Sequence, residues 1–362
     1  MPYPIHICHV ITDGNIGGAG VLLANLIENL DSEKIRTSVI LPKNSLLCPR
    51  LSNLDTNLIE AEITPDSSID IGGIFILRKL LSNLRPDIVH THGSATARLC
   101  AKTLGITTVN TRHCDTKMKT FLYNSITNFT VATSENMLSS MPEIPIENRI
   151  FIPNGATSPH VLNANQRLQL KTSLGIPENA IVIGSVGRLE SIKGFDIFLS
   201  AAARLKEKLP LCRFLIVGDG SLRESLFKLS RSLSLSEEVI FCGHRENAGD
   251  FMNIFDVGVL ASRGSETTPL ALSEMMSLSL PCVVSDIAGH TYMVRDGAGA
   301  LFKNGSASSL ASVLFSLCLN RELRNTLGNN AKIRYESEFT PRQMSRRYEN
   351  MYEAIAKRFP PK

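Results

Sequence analysis

The residues best suited to chemistry lie in loops that follow apolar runs. The fullest set is Ser262-Arg263-Gly264-Ser265-Glu266-Thr267-Thr268-Pro269-Leu270-Ala271-Leu272-Ser273-Glu274. Glu266 and Glu274 stand eight positions apart. Glu266 falls in the loop after the apolar run 257–260. Glu274 falls on a helix that Pro269 starts, since the first helical turn needs no N–H from proline. A carboxylate accepts hydrogen bonds on two oxygens, which matches the vicinal hydroxyls of a sugar ring or a ribose. Leu272 and Met275 flank Glu274, where a purely solvated glutamate would be out of place. The plain alternative is a helix-capping Glu266 with an exposed Glu274. A second set, Gly187-Arg188-Leu189-Glu190-Ser191-Ile192-Lys193-Gly194, follows the run 181–186 and opens a helix. Arg188, Lys193 and free backbone N–H groups at that helix start can together hold a diphosphate.

The first half of the chain carries weaker signals. Asp13-Gly14-Asn15-Ile16-Gly17-Gly18-Ala19-Gly20 lies between a strand and a helix, where glycines admit a ligand to the backbone and helix N–H groups attract an anion. A dinucleotide fingerprint fails here. Gly18-Ala19-Gly20-Val21-Leu22-Leu23 lacks the third glycine, and the second strand ends in Leu41-Pro42-Lys43 without an acidic ribose ligand. There is no G-x-x-x-x-G-K-[ST] either. His90 and His92 end one strand and His113 follows the next. The first two could ligate a metal, but no third ligand of suitable spacing accompanies them, so no metal site is expected.

The elements that position these loops alternate strand and helix throughout, the pattern of parallel sheets covered on both faces. Strands are expected at 5–11, 37–41, 87–90, 107–110, 129–132 and 149–152, with helices at 21–30, 74–84 and 95–104. The pattern breaks at Pro153-Asn154-Gly155, and the polar stretch 158–171 reads as an inter-domain crossover. It restarts with strands at 181–186, 213–217, 239–241, 257–260, 282–284 and 300–302, and helices at 195–208, 222–233, 269–280 and 306–318. A last helix spans 341–359. Arg342, Arg346, Arg347, Lys357 and Arg358 in that tail read as its solvated face. The expectation is an α/β chain of two Rossmann-like doubly wound domains facing across a cleft. The first is 1–160, completed by 341–359, and the second is 175–340. Ligands of such sheets bind outside the carboxyl ends of the strands.

Composition narrows the function. The chain has 362 residues, 43% hydrophobic and 20% charged, with a net charge of +4 that is too weak to argue for nucleic acid. Its eight cysteines have no C-x-x-C spacing and several sit in apolar runs, so they read as buried free thiols in a reducing compartment. The start of the chain runs straight into a strand without a leader pattern, and no apolar run reaches the ~20 residues needed to cross a bilayer. A cytoplasmic protein, at most peripheral to a membrane, is expected.

Taken together, these motifs resemble the retaining glycosyltransferases of family 4, which have the GT-B fold. The resemblance runs from Gly17-Gly18 through Asp87-Ile88-Val89-His90-Thr91-His92 and Ile152-Pro153-Asn154-Gly155. It continues through Gly187-Arg188 with Lys193-Gly194, Val217-Gly218-Asp219-Gly220, the Glu266/Glu274 pair and Leu280-Pro281-Cys282-Val283-Val284-Ser285-Asp286-Ile287-Ala288-Gly289. It implies that Arg188 and Lys193 neutralise the diphosphate of a nucleotide-sugar donor. Glu274 would bind the ribose and Glu266 the sugar hydroxyls, with backbone amides near Thr267, Thr268, Pro269 and Leu270 beside them. Gly17 and Gly18 match the loop that closes on the donor, and His113 matches a histidine that meets the donor sugar. The chain departs from the family at Thr267-Thr268, where a glycine and a bulky apolar residue often stand, and at Ala156-Thr157, where an aspartate commonly follows. The first departure bears on which sugar is accepted.

The reaction so implied is transfer with retention, by same-face attack in which the leaving diphosphate helps take the acceptor proton. No D-x-D pair follows a strand, which fits a reaction without metal or other cofactor. The family favours a UDP-sugar, with GDP behind it, and a glycan or lipid-linked acceptor in bacterial polysaccharide or glycoconjugate synthesis. His90, His92, Arg112 and Lys117, with Lys119 nearby, are the acceptor-side candidates, and the cations among them would suit a phosphorylated or lipid-linked acceptor at the inner membrane face. A sugar-nucleotide epimerase and a non-catalytic sugar-nucleotide-binding protein on the same fold are the alternatives.

Overall fold

A computed structural model of the chain describes residues 4–15, 17–64, 70–113, 120–141, 144–264 and 266–359. It separates into two compact units, Met1–Gly155 with Pro341–Lys362, and Ala156–Thr340.

The first unit is built on seven parallel strands: β1 (Ile5–Val10), β2 (Ile35–Pro42), β3 (Asn57–Ala61), β4 (Ile88–Thr91), β5 (Thr107–Arg112), β6 (Phe129–Ala132) and β7 (Arg149–Phe151). Their order is β3-β2-β1-β4-β5-β6-β7. Every residue of β1 and β4 is buried, because a central parallel strand has helices on both faces. Side chains alternate between those faces. Ile5 and Ile7 pack with Ile88 and Val109 against Leu22 and Leu26, whereas Cys8, Val10 and Val89 pack against Leu77, Leu81, Ala97 and Ala101.

The chain returns to this unit at its end. In the helix Pro341–Arg358, Met344, Tyr348, Met351, Tyr352 and Ile355 repeat at helical spacing and are buried against the Ile5/Ile7 face. Arg342, Arg346, Lys357 and Arg358 lie exposed on the opposite side and Arg347 is half-buried, the solvated face expected of the tail.

The second unit has six parallel strands: β8 (Ile181–Val186), β9 (Cys212–Val217), β10 (Val239–Gly243), β11 (Val257–Leu260), β12 (Cys282–Ser285) and β13 (Ala300–Phe302). They are ordered β10-β9-β8-β11-β12-β13. Each sheet therefore reverses its winding once, between β1 and β4 and between β8 and β11. At such a point successive crossovers leave to opposite faces and the loops diverge, opening a crevice at the carboxyl ends.

Several elements escape the sequence pattern, three of them with a plain physical reason or role. β3 is an edge strand with Asn57 and Glu60 exposed, so it lacks the continuous apolar run of its neighbours. The stretch read as a crossover contains the helix Ala164–Ser173, started by a capping box between Asn163 and Gln166. The helix Arg321–Arg334, ending in one π-helical turn Tyr335–Phe339, covers part of the second core through Ala331, Tyr335 and Phe339. Cys8, Cys100, Cys212, Cys242, Cys282 and Cys318 are buried free thiols and Cys48 is half-buried, while Cys114 lies outside the described residues. Among the described residues no helix is long and apolar enough to cross a membrane.

Docking of the last helix is an apolar packing event. Met351→Ala is accordingly expected to destabilise the first unit by about 2–5 kcal/mol, read from the urea unfolding midpoint.

Candidate active site

In the second unit the site is organised by a close approach of two loops. Gly194 ends the turn Ser191–Lys193 with φ 67°, a left-handed conformation that favours glycine, and a Cβ there would lie 2.0 Å from the Ala261 carbonyl oxygen. The loop after β8 is thereby set against the end of β11. Arg263 locks the pair. Its guanidinium grips both carboxylate oxygens of Asp196, with Nη1 2.6 Å from Oδ1, and its backbone N–H donates to the Ile192 carbonyl at 2.8 Å.

This geometry brings Lys193 to Glu266. Lys193 Nζ donates to Glu266 Oε1 at 2.5 Å, and the same oxygen accepts from Ser262 Oγ at 3.1 Å. Both side chains are mostly withdrawn from water, so the ammonium and carboxylate satisfy each other in a poorly screened place. Arg188 is exposed on the same loop. Thr267 and Thr268 are buried, Pro269 takes the N-cap position with φ −65°, and Leu270 begins the helix Leu270–Ser277, whose N-terminus has no side-chain cap. Glu274 is half-buried on that helix, and burial pushes its carboxyl up to about 7.

A second layer supports the Glu266 loop. A Cβ on Gly289 would lie 2.1 Å from the Thr267 carbonyl oxygen and 2.2 Å from that of Glu266, so the helix Ala288–Val294 can press on this peptide only through glycine. The Ser285 hydroxyl donates to the Ser262 carbonyl at 2.6 Å, which leaves it to accept from His290 Nδ1 at 3.1 Å. Burial pushes His290 down to about 4, so the ring is neutral. Asp196, Ser262, Arg263, Ser285 and His290 were not singled out in the sequence. They act on the loops from the back, and no motif spacing marks such a role.

In the first unit, Gly17 is the N-cap of the helix Gly18–Asn29, again without a side-chain cap. Both glycines are exposed, and a Cβ on either would meet nothing within 4 Å. Packing does not require them, which leaves approach of a ligand as a reason for their small size. The histidines converge. His90, His92 and His113 share one sheet face with a fourth ring, His9 of β1, whose Cα pairs with that of His90. His9, His90 and His92 place ring nitrogens within 4.8 Å of one another, all buried. The expectation that no third ligand accompanies His90 and His92 is therefore corrected: register between parallel strands supplies it from 81 positions earlier than His90. Arg112 ends β5 and is buried. Lys117 and Lys119 lie outside the described residues.

Two family models match the chain, Glycosyltransferase Family 4 over residues 16–156 and Glycosyl transferases group 1 over residues 166–334. The chain belongs to glycosyltransferase family 4. Among relatives of this family 4 chain is the UDP-Gal:alpha-D-GlcNAc-diphosphoundecaprenol alpha-1,3-galactosyltransferase of Escherichia coli. It is 31% identical over 251 residues, 63% of this chain and 65% of that protein. The N-acetyl-alpha-D-glucosaminyl L-malate synthase of Bacillus anthracis is 24% identical over 51% of this chain and 48% of that one. The chain thus spans less than two-thirds of the length of these curated relatives. Similar solved structures include a glycosyltransferase from Rickettsia africae ESF-5 (TM-score 0.87, 19% identity, 98% of this chain and 99% of that one). The Anabaena protein HepE in complex with UDP and glucose is a second (TM-score 0.82, 18% identity, 96% and 99%). The fold of the family 4 chain is GT-B, as in these neighbours.

Glu274 yields a pH prediction for the family 4 chain. Its folded value of about 7 lies above the ordinary 4.5, so the folded state holds a proton that the unfolded chain has released. Stability is unaffected below pH 4.5 and is lost as pH rises from there through 7. Glu274→Gln should therefore gain stability relative to the parent between pH 5 and pH 8, by up to about 3 kcal/mol in urea unfolding. An unchanged difference across that range would contradict a buried, uncompensated carboxyl.

Proposed function

We propose that this chain transfers a sugar with retention from a nucleotide-sugar, a UDP-sugar first, to a lipid-linked or glycan acceptor in bacterial glycoconjugate synthesis. The observation that carries the proposal is the Lys193–Glu266 pair at the winding reversal of the second sheet, with Glu274 on the helix that follows. In the free protein each group answers the other's charge. A donor diphosphate would take over the ammonium of Lys193, joined by Arg188, and so free Glu266 to accept from sugar hydroxyls. Glu274 would accept from the ribose, and the amides of Thr267–Leu270 would lie along the phosphates and sugar. Arg188 and Lys193 supply fixed positive charge where the leaving diphosphate develops its own, the task a divalent metal performs in other transferases. No metal or cofactor is required on this reading.

The donor and acceptor classes draw support from relatives. The E. coli relative takes UDP-Gal and acts on a diphosphoundecaprenol-linked sugar, and the Anabaena neighbour was solved with UDP and glucose. An acceptor of that kind requires the enzyme to work at the inner membrane face. With Arg112 buried, the helix Ile71–Leu84 is the better surface for this. Its outer stripe runs Ile71, Phe75, Arg78, Lys79, and both Ile71 and Phe75 are 74% exposed. Apolar groups followed by cations on one helical face suit an anionic lipid surface. The relatives lend nothing to an epimerase or a non-catalytic binding protein.

Donor turnover tests the proposal. With a panel of UDP-, GDP- and ADP-sugars, one donor should be bound and slowly hydrolysed, and Lys193→Ala or Glu266→Gln should lower kcat by about 10²–10³-fold. Binding of no nucleotide-sugar by the parent protein would refute the proposal. Separately, Ile71→Ser with Phe75→Ser should abolish co-sedimentation with vesicles of anionic phospholipid. Retained co-sedimentation would exclude that helix as the lipid surface.

A further inference from the structure

The histidines of the first unit form a hydrogen-bonded row. His9 Nδ1 lies 3.3 Å from His92 Nε2, and His92 Nδ1 lies 3.2 Å from His113 Nε2. The rings stack, with interplanar angles of 27° and 21°. His90 sits beside the row with both nitrogens engaged, Nδ1 by the Tyr352 hydroxyl at 2.6 Å and Nε2 by Thr111 Oγ1 at 2.8 Å. His9 Nε2, at the far end, is buried and has no partner among the described residues.

We propose that His9 and His92 are positioning residues that hold His113 in its Nδ1–H form, so that it presents a hydrogen-bond donor to a sugar substrate. The identity of that ligand rests on the transferase reading; the proton arrangement does not.

The argument is one of counting protons. Burial disfavours the charged form of every ring in the row, and the charges that act on these rings are those of the other histidines, so each is neutral with one N–H. Each inter-ring link consumes one proton. If His113 Nε2 accepts, His92 must donate from Nδ1 and accept at Nε2, and His9 must donate from Nδ1. The opposite arrangement puts every proton on Nε2. The two ends are therefore coupled, and the tautomer of His113 is decided at His9.

The buried end chooses between the two states. With all protons on Nε2, His9 would bury an N–H with no acceptor, a defect that folded proteins almost never tolerate. With all protons on Nδ1, the row ends in an unused lone pair. His90 cannot relieve His9, since Tyr352 and Thr111 already occupy its nitrogens. The same occupancy argues against a metal among His9, His90 and His92: His90 would have to give up one of those two bonds to ligate it, and the cluster brings no carboxylate or thiolate to offset the buried charge.

His113, only half-buried, then offers Nδ1–H beyond the row. A sugar with an oxygen at the facing position would be accepted over its deoxy analogue, because an unmatched donor is costly.

The test is nitrogen-15 NMR of the full-length protein labelled at histidine, at pH 7.5, with each ring assigned by single substitution. His9, His92 and His113 are expected to carry the proton on Nδ1. His9→Leu should shift His113 toward the Nε2–H form favoured in water, and His9→Asn, whose amide N–H falls near the lost Nδ1–H, should restore it. In turnover assays His9→Leu should lower donor kcat/KM about tenfold, mainly through kcat, with recovery in His9→Asn. Nε2–H or a doubly protonated ring at His113 in the parent protein, or stoichiometric zinc in the protein as purified, would overturn the proposal. The parent spectrum alone decides it should His9→Leu fail to fold. Absence of any donor turnover would instead count against the transferase reading and leave the tautomer result standing.

Discussion

The contact between Gly194 and the Ala261 carbonyl is the constraint on which the candidate site of the second unit depends. Two parallel strands whose crossovers leave in opposite directions naturally hold their loops apart. Here a residue without a side chain lets those loops meet, and the Arg263–Asp196 fork closes them. Only then can a lysine from one loop reach a glutamate from the other. The pair is not a stabilising ornament: a mostly buried ammonium and carboxylate cost desolvation, and their mutual attraction does little more than offset it. Holding them together in readiness makes physical sense if a ligand later takes one of them.

The two halves of the molecule solve different electrostatic problems. In the second unit, charge is kept near the strand ends and balanced locally, with Glu274 as the exception that remains uncompensated in the free protein. In the first unit, four histidines at the strand ends are neutral because burial makes their protonation unfavourable; His9, His92 and His113 satisfy one another through single-proton bonds, and His90 lies under the helix Pro341–Arg358. That helix comes from the far end of the chain, and its Tyr352 hydroxyl bonds His90. The C-terminus is thus part of the chemistry of the first sheet as well as of its packing.

Much of this was legible in the residues themselves. Apolar runs located twelve of the thirteen strands, because a parallel strand buried on both faces cannot hide its composition. The exception, β3, is an edge strand whose first four residues are exposed or half-buried. Glu266, Glu274, Arg188 and Lys193 were found by type and loop position, since charged groups next to glycines at strand ends have few other uses. His9 was missed although its parity along β1 places it on the same face as Ile7; without the β1–β4 register that parity has no partner to point at.

The sequence by itself determined the α/β alternation, the two-unit division, the loop that carries each candidate group and the family to which the chain belongs. The alternation, the division and the loop positions follow from local composition and spacing, which are properties of the unfolded string; the family follows from the resemblance of whole motifs and the matching family models. Which groups touch was decided by tertiary structure alone. Lys193 and Glu266 are 73 positions apart, Ser262 and Ser285 are 23 apart, and His9 and His92 are 83 apart. The physical reason is that hydrogen bonds of this kind depend on distances of a few tenths of an ångström. Those distances are set by strand register and by where a Cβ is missing, and neither is written at the positions that make the bond.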